Sequence, residues 1–192
     1  NRYVQFTLIR TIANFIVVLP VLGQHKVAGD IDFLQRSLDY LRQTKYINNI
    51  YVLTDNEVVK NLAIKNKVRV ITRPDTIRDP NLSLEKVLQY ALKCIEALGD
   101  FPEAVVYMNY LYPFRPAKLI DKLILELQYE GLDSVFSSYV DFGNYWKEDA
   151  EGNYAQVGDA LMPRVKKHPL HRALYGIGCA TLTSIIRTGN IV

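Results

Sequence analysis

The strongest constraint on this chain is a regular change of hydrophobic period. Short β-branched runs alternate with longer stretches whose apolar residues recur at helical spacing. Phe15 to Leu19 is continuously apolar and stops at Pro20, the form of a strand buried on both faces. Ile31 to Gln43 follows as a helix, with Phe33, Leu34, Leu38 and Leu41 on one stripe. Ile50 to Leu53 is the next strand. Thr54 and Asp55 are then placed to cap a helix that carries Val58, Val59, Leu62 and Ala63. Val68 to Ile71 makes a third strand, and Ser83 with Lys86 opens the clearest helix, striped by Leu84, Val87, Leu88, Ala91, Leu92 and Ile95. Ala104 to Met108 is a fourth strand. Pro116 begins a helix with Leu119, Ile120, Leu123, Ile124 and Leu127 inward, and Ser134 to Phe136 is a fifth strand. The order βαβαβαβαβ demands a three-layer α/β domain: a mostly parallel sheet with helices on both faces.

Length and composition agree. The 192 residues suit one domain over 1–192, and 49% hydrophobic with 22% charged residues excludes disorder and coiled coil. A net charge of +3 is too mild to imply a nucleic-acid or membrane partner. The two cysteines, Cys94 and Cys179, exclude a disulfide scaffold, and both are expected as buried free thiols of a cytosolic protein. The apolar run Ile9 to Leu22 is broken by Arg10, Asn14 and Pro20. It is too short to span a bilayer and lacks the features of a signal peptide, so a soluble, cytoplasmic protein is expected. Residues 1–14 stand apart as a linker candidate.

Two segments leave the pattern. Residues 141–159 mix Phe142, Tyr145, Trp146 and Tyr154 with glycines and charges, which suits a protruding arm over a site or against a second subunit, or equally a solvated loop. Arg164, Lys166, Lys167, His168, His171 and Arg172 form the densest basic cluster, a solvated loop or an anion site.

In open parallel sheets, ligands bind beyond the carboxyl ends of the strands. Cations follow the first, third and fourth strands here: Lys26, Arg73 and Arg115. That convergence suits a phosphorylated or carboxylated ligand. The dinucleotide and P-loop glycine patterns are absent, and Gly176-Ile177-Gly178 suits a tight turn better than a phosphate cradle. No nucleophile elbow occurs, Cys94 lies on an inner helix stripe, and the three histidines lack zinc spacing; His25 could face phosphate or solvent.

Taken in order, these loops resemble those of the CMP-sialic acid synthetases, the cytidylyltransferases of nonulosonic acids. The resemblance runs from about Phe15 to Val192. That family's Pro-x-Arg-Gly-Gly-Ser-Lys loop stands here as Pro20-Val21-Leu22-Gly23-Gln24-His25-Lys26. Its Gly-Lys-Pro-Leu stretch stands as Gly29-Asp30-Ile31-Asp32, and its Ser-Thr-Asp as Leu53-Thr54-Asp55. Its Arg-Pro and Asp-x-x-Ser-Ser elements stand as Arg73-Pro74 and Asp79-Pro80-Asn81-Leu82-Ser83. Gln-Pro-Thr-Ser-Pro-Leu-Arg becomes Asn109-Tyr110-Leu111-Tyr112-Pro113-Phe114-Arg115, and Asp133-Ser134-Val135 matches the strand before a dimerisation arm.

The resemblance implies a nucleotide-diphospho-sugar transferase-like fold, a homodimer, and attack of an acidic sugar hydroxyl on the α-phosphate of CTP, assisted by Mg²⁺. It implies that Lys26 is the catalytic cation on the triphosphate beside Gly23, that Arg73 and Ser83 hold the cytosine end, and that Asn109 and Arg115, with Lys147 and Tyr175, hold the acceptor. Leu22 replaces the family's loop arginine and Gln24 one of its glycines, and the family's Mg²⁺ carboxylates have no counterpart here, so no metal ligand is assigned. Two alternatives stay open. One is a GT-A-like transferase or nucleotidyltransferase for another sugar, against which the only Asp-x-Asp, Asp30-Ile31-Asp32, lies at a helix start. The other is a non-catalytic domain of the same fold.

Overall fold

A computed structural model of the chain describes residues 14–21, 28–74, 79, 82–158 and 162–192. They divide into two compact units, one within 14–136 with 175–192, and one within 137–174.

The larger unit is built on a six-stranded sheet. Its strands are β1 (Phe15–Pro20), β2 (Ile47–Thr54), β3 (Arg69–Thr72), β4 (Ala104–Tyr107), β5 (Ser134–Phe136) and β10 (Cys179–Leu182), in the order β3-β2-β1-β4-β10-β5. The helices between them are α1 (Ala28–Leu41), α2 (Glu57–Lys65), α3 (Leu84–Ala97) and α4 (Leu119–Tyr129), and α5 (Thr183–Arg187) follows β10. β1 pairs in parallel with both β2 and β4. β10 runs antiparallel between β4 and β5, with Cys179 opposite both Tyr107 and Phe136. This is the expected mostly parallel α/β sheet, with one antiparallel strand that the βα alternation did not foretell.

Side-chain alternation along the strands explains the three layers. Phe15, Val17 and Leu19 of β1 pack with Leu34 and Leu38 of α1, Val59 and Ala63 of α2, and Ile120 and Ile124 of α4. Ile16 and Val18 face the other way, onto Leu88, Ala91, Leu92 and Ile95 of α3 and Ile186 of α5. Both faces of β1 are therefore dry, which is why its sequence is continuously apolar. Each such fully buried aliphatic side chain contributes about 1.5–3 kcal/mol.

Helix ends differ from expectation in detail. Asn56, rather than Thr54 or Asp55, caps α2, its Oδ1 accepting from the N–H groups of Val58 and Val59. Thr54 instead accepts from the Asn56 N–H through its buried hydroxyl. α4 begins at Leu119 after Lys118, which adopts left-handed backbone (φ 60), so Pro116 lies in the preceding turn. Cys179 is buried and Cys94 half-buried, and both are free thiols.

The smaller unit consists of two antiparallel pairs. β6 (Ser138–Asp141) pairs with β9 (Leu170–Ala173), and β7 (Tyr145–Glu148) with β8 (Tyr154–Val157). A 3₁₀ turn spans Arg164–Lys166. The excursion is thus wider than residues 141–159, and part of the basic cluster is strand: His171 and Arg172 lie in β9. No described side chain of this unit is fully buried. Among the described residues, no helix is long and apolar enough to cross a membrane.

Candidate functional site at the carboxyl edge of the sheet

The strand order reverses between β1 and β4, and this switch point marks the crevice where doubly wound sheets bind ligands. Among the described residues, the segments that reach it follow β2, β3 and β4. Because β10 is antiparallel, the residues that precede it reach the same edge. Gly23 and Lys26 lie outside the described residues.

Beyond β2 and β3 the edge is tied by the Arg73 N–H, which donates to the Thr54 carbonyl at 3.2 Å. Arg73 itself is 3% exposed, so a fixed cation is built into the end of β3. A buried guanidinium keeps its charge only among polar partners. Ser83 stands at the start of α3 with its backbone extended, and its hydroxyl makes no capping hydrogen bond.

The β4–α4 loop and the segment before β10 form the best-defined part of the edge, and Arg115 holds them together. Its Nε donates to the Ile177 carbonyl at 2.8 Å, and its Nη2 to the carbonyls of Asn109 at 2.6 Å and Gly176 at 3.2 Å. Its Nη1 donates to the buried Ser37 hydroxyl at 3.2 Å. Desolvation lowers the Arg115 pKa to about 10, which leaves it charged at neutral pH. Arg115 is therefore a clamp between two loops, with most of its donors spent on the protein.

Asn109 is similarly occupied. Its Oδ1 accepts from the Leu111 N–H at 3.0 Å, its own N–H donates to the Gly176 carbonyl at 2.9 Å, and its side chain hydrogen-bonds the Tyr107 hydroxyl. Burial pushes the Tyr107 phenol up to about 12, against that hydrogen bond, so it stays protonated. The ring of Tyr112 lies against Gly176: a Cβ there would sit 2.6 Å from Tyr112 Cε2 and 3.1 Å from Asn109 Cβ. Only glycine permits this approach, which gives Gly176 a packing role. Tyr175 is half-buried, edge-to-face on Phe136 with centroids 4.9 Å apart.

The structure thus brings Asn109, Arg115 and Tyr175 to one pair of loops and places Arg73 and Ser83 at the two ends of the β3–α3 connection. Lys147 is exposed on β7 of the smaller unit. Sequence reasoning missed Ser37, Tyr107 and Tyr112 as supports of the site. The signal for Tyr112 was the glycine at 176; nothing in the sequence marked Ser37. Among the described residues, no group of three or more His, Cys, Asp or Glu is placed to hold a metal ion.

No family model matches this chain, and no curated protein matches it either. Solved structures do. The chain is similar to CMP:2-keto-3-deoxy-manno-octonic acid synthetase complexed with CTP, at 11% identity and TM-score 0.65 over 91% of this chain and 76% of that one. It is similar to the 4-diphosphocytidyl-2C-methyl-D-erythritol synthase of Anaerococcus prevotii, at 16% identity and TM-score 0.64 over 91% and 72%. A second synthase of that name matches at 11% identity and TM-score 0.66 over 91% and 78%. The shared property is the fold. The chain shares the α/β architecture of these synthases.

Proposed function

We propose that this chain is a CTP-dependent cytidylyltransferase acting on an acidic, nonulosonic-type sugar. The observation that carries the reading is the carboxyl edge itself. A buried arginine beyond β3, a serine at the start of α3 whose hydroxyl makes no capping bond, and two loops clamped by Arg115 follow the carboxyl ends of the strands in a fold shared with a synthetase solved with CTP.

In this reading the sugar hydroxyl attacks the α-phosphorus of CTP. A new oxygen–phosphorus bond forms, the bond to the β-phosphate oxygen breaks, and pyrophosphate leaves while the hydroxyl proton is released. Nothing in the step needs a covalent enzyme intermediate. It needs positioned donors and cations where negative charge grows. Lys26 and the backbone at Gly23 are assigned to the triphosphate, and Arg73 and the Ser83 hydroxyl to the cytosine end. Arg115 acts by holding the loop on which Asn109 stands, and Asn109 and Tyr175 are assigned to the sugar side. Lys147 is assigned to the acceptor by resemblance alone. The described residues supply no set of carboxylates for Mg²⁺, so no step is derived through it; the ion would arrive with the triphosphate as part of the substrate.

The smaller unit supports a homodimer. Tyr139, Trp146, Tyr154 and Val165 are 59%, 60%, 63% and 92% exposed on a body that buries no described side chain. Such a body lacks a core, and a second copy of the chain would supply one. One feature favours a second reading, a non-catalytic domain of the same fold: Leu22 stands where the resembled family has its triphosphate arginine. Pyrophosphate release separates the two. The full chain with CTP, Mg²⁺ and a panel of nonulosonic acids should release pyrophosphate with one of them. No release from any acceptor, with CTP still bound, would contradict the nonulosonic-acid reading and favour the non-catalytic domain.

A further inference from the structure

The opposite, amino edge of the sheet carries a second concavity of about 290 Å³, formed where the end of α1, the start of β2 and the turn between α2 and β3 meet. Arg42, Lys67 and Arg69 line it together with the amides of Asn48, Asn49 and Asn66, and no carboxylate does. We propose that this pocket is a binding site for a phosphate-class anion, separate from the carboxyl edge and independent of the nucleotide reading.

The two guanidinium groups are held in place by carboxylates outside the pocket lining and, for Arg42, also by Asn66 within it. Arg42 Nη1 pairs with Asp39 at 2.8 Å, and its Nη2 donates to the Asn66 Oδ1. Arg69 Nη1 donates to the Tyr51 hydroxyl at 2.7 Å and lies 3.5 Å from Asp100, with the guanidinium 5.6 Å from the Tyr51 ring centre. Each carboxylate touches only one nitrogen of its arginine, so both forks keep further N–H donors. Lys67 has no ion pair among the described residues, and the pocket therefore holds an excess of positive charge. Anchored arginine forks beside a free ammonium match the planar, multidentate recognition that phosphate oxygens favour.

The backbone supplies an independent observation. Lys67 closes α2 in left-handed conformation (φ 59), its N–H on the Ile64 carbonyl and the Val68 N–H on the Ala63 carbonyl. Glycine is the residue this helix-ending geometry prefers. The chain instead keeps a strained lysine there, on the wall of a basic pocket. Strain held at a concave charged site is how ligand positions show themselves. The volume is near the small end for ligand pockets, which fits phosphate itself or a small phosphomonoester rather than a nucleotide.

The test is a titration of the full chain, followed by amide chemical shifts at constant ionic strength, with inorganic phosphate and then glycerol phosphate, for the wild type and Lys67→Gly. The expected result is saturable shifts over residues 42–50 and 66–69, a Kd at least tenfold weaker in Lys67→Gly, and a Tm in that variant equal to or above the wild type. Tighter binding of glycerol phosphate would assign a phosphomonoester, and tighter binding of phosphate the free anion. Non-saturating shifts, shifts confined to residues 72–74 and 108–115, or an unchanged Kd in Lys67→Gly would overturn the proposal.

Discussion

Arg115 shows how one side chain can hold two loops together. Its guanidinium meets three carbonyls and a hydroxyl from segments far apart in sequence, so its removal leaves several half-buried acceptors unpaired at once. Arg115→Met should lower stability by about 2–4 kcal/mol, as for other buried polar networks that lose a partner. Urea unfolding of the two proteins checks this. Arg115→Lys should recover only part of the loss, because a single ammonium cannot reproduce the fork. A variant as stable as the wild type would mean that the two loops hold each other without Arg115. The sequence showed Arg115 as a cation after a strand, and its reach to the edge was legible. Its partners were not, since backbone carbonyls of a distant loop leave no mark in a sequence.

At the scale of elements, the start of β1 and the strand β2 are joined through one carboxylate. Gly99 turns the chain out of α3 with φ 83, and the Asp100 side chain that follows accepts from Asn14, Asn49 and Tyr51 at 2.9, 2.7 and 2.7 Å. Desolvation by itself would raise the Asp100 pKa. The hydrogen bonds from Tyr51, Asn14 and Asn49, with the nearby Arg69 charge, outweigh it and lower the value below that of an ordinary aspartate. The stabilisation is therefore fully present above the unfolded value of about 4, and it is lost as pH falls through the lower folded value. Asp100→Asn turns an amide N–H toward donors, and should cost about 1–3 kcal/mol at pH 7. The difference from wild type should shrink on going to pH 3; a difference constant from pH 7 to pH 3 would exclude the charge as its source. Every element of the βα alternation was legible because period 2 and period 3.6 are physical signatures of burial. β10 escaped because Cys179–Leu182 is a short strand outside that alternation, and β9 because Leu170–Ala173 sits within a basic stretch. The cap of α2 at Asn56 escaped because Thr54, Asp55 and Asn56 are all capping residue types, and only the backbone decides among them.

For the whole molecule, the aromatic surface of the smaller unit and the carboxyl edge of the larger one carry the account. Trp146 is the only tryptophan of the chain and is 60% exposed. If a second copy covers this surface, its emission should shift to the blue as concentration rises, in step with a sedimentation mass of two chains. Trp146→Asp should hold the chain as a monomer with a Tm that no longer depends on concentration. A wild-type mass of one chain at every concentration would contradict the dimer. The most direct test of the central claim is calorimetric titration of the full chain with CTP, UTP, ATP and GTP in the presence of Mg²⁺. Binding should be selective for CTP and weakened at least tenfold in both Lys26→Ala and Arg73→Lys, with Tm measured on each variant to separate lost contact from lost fold. Equal binding of all four nucleotides, or CTP binding unchanged in folded Arg73→Lys, would contradict the claim.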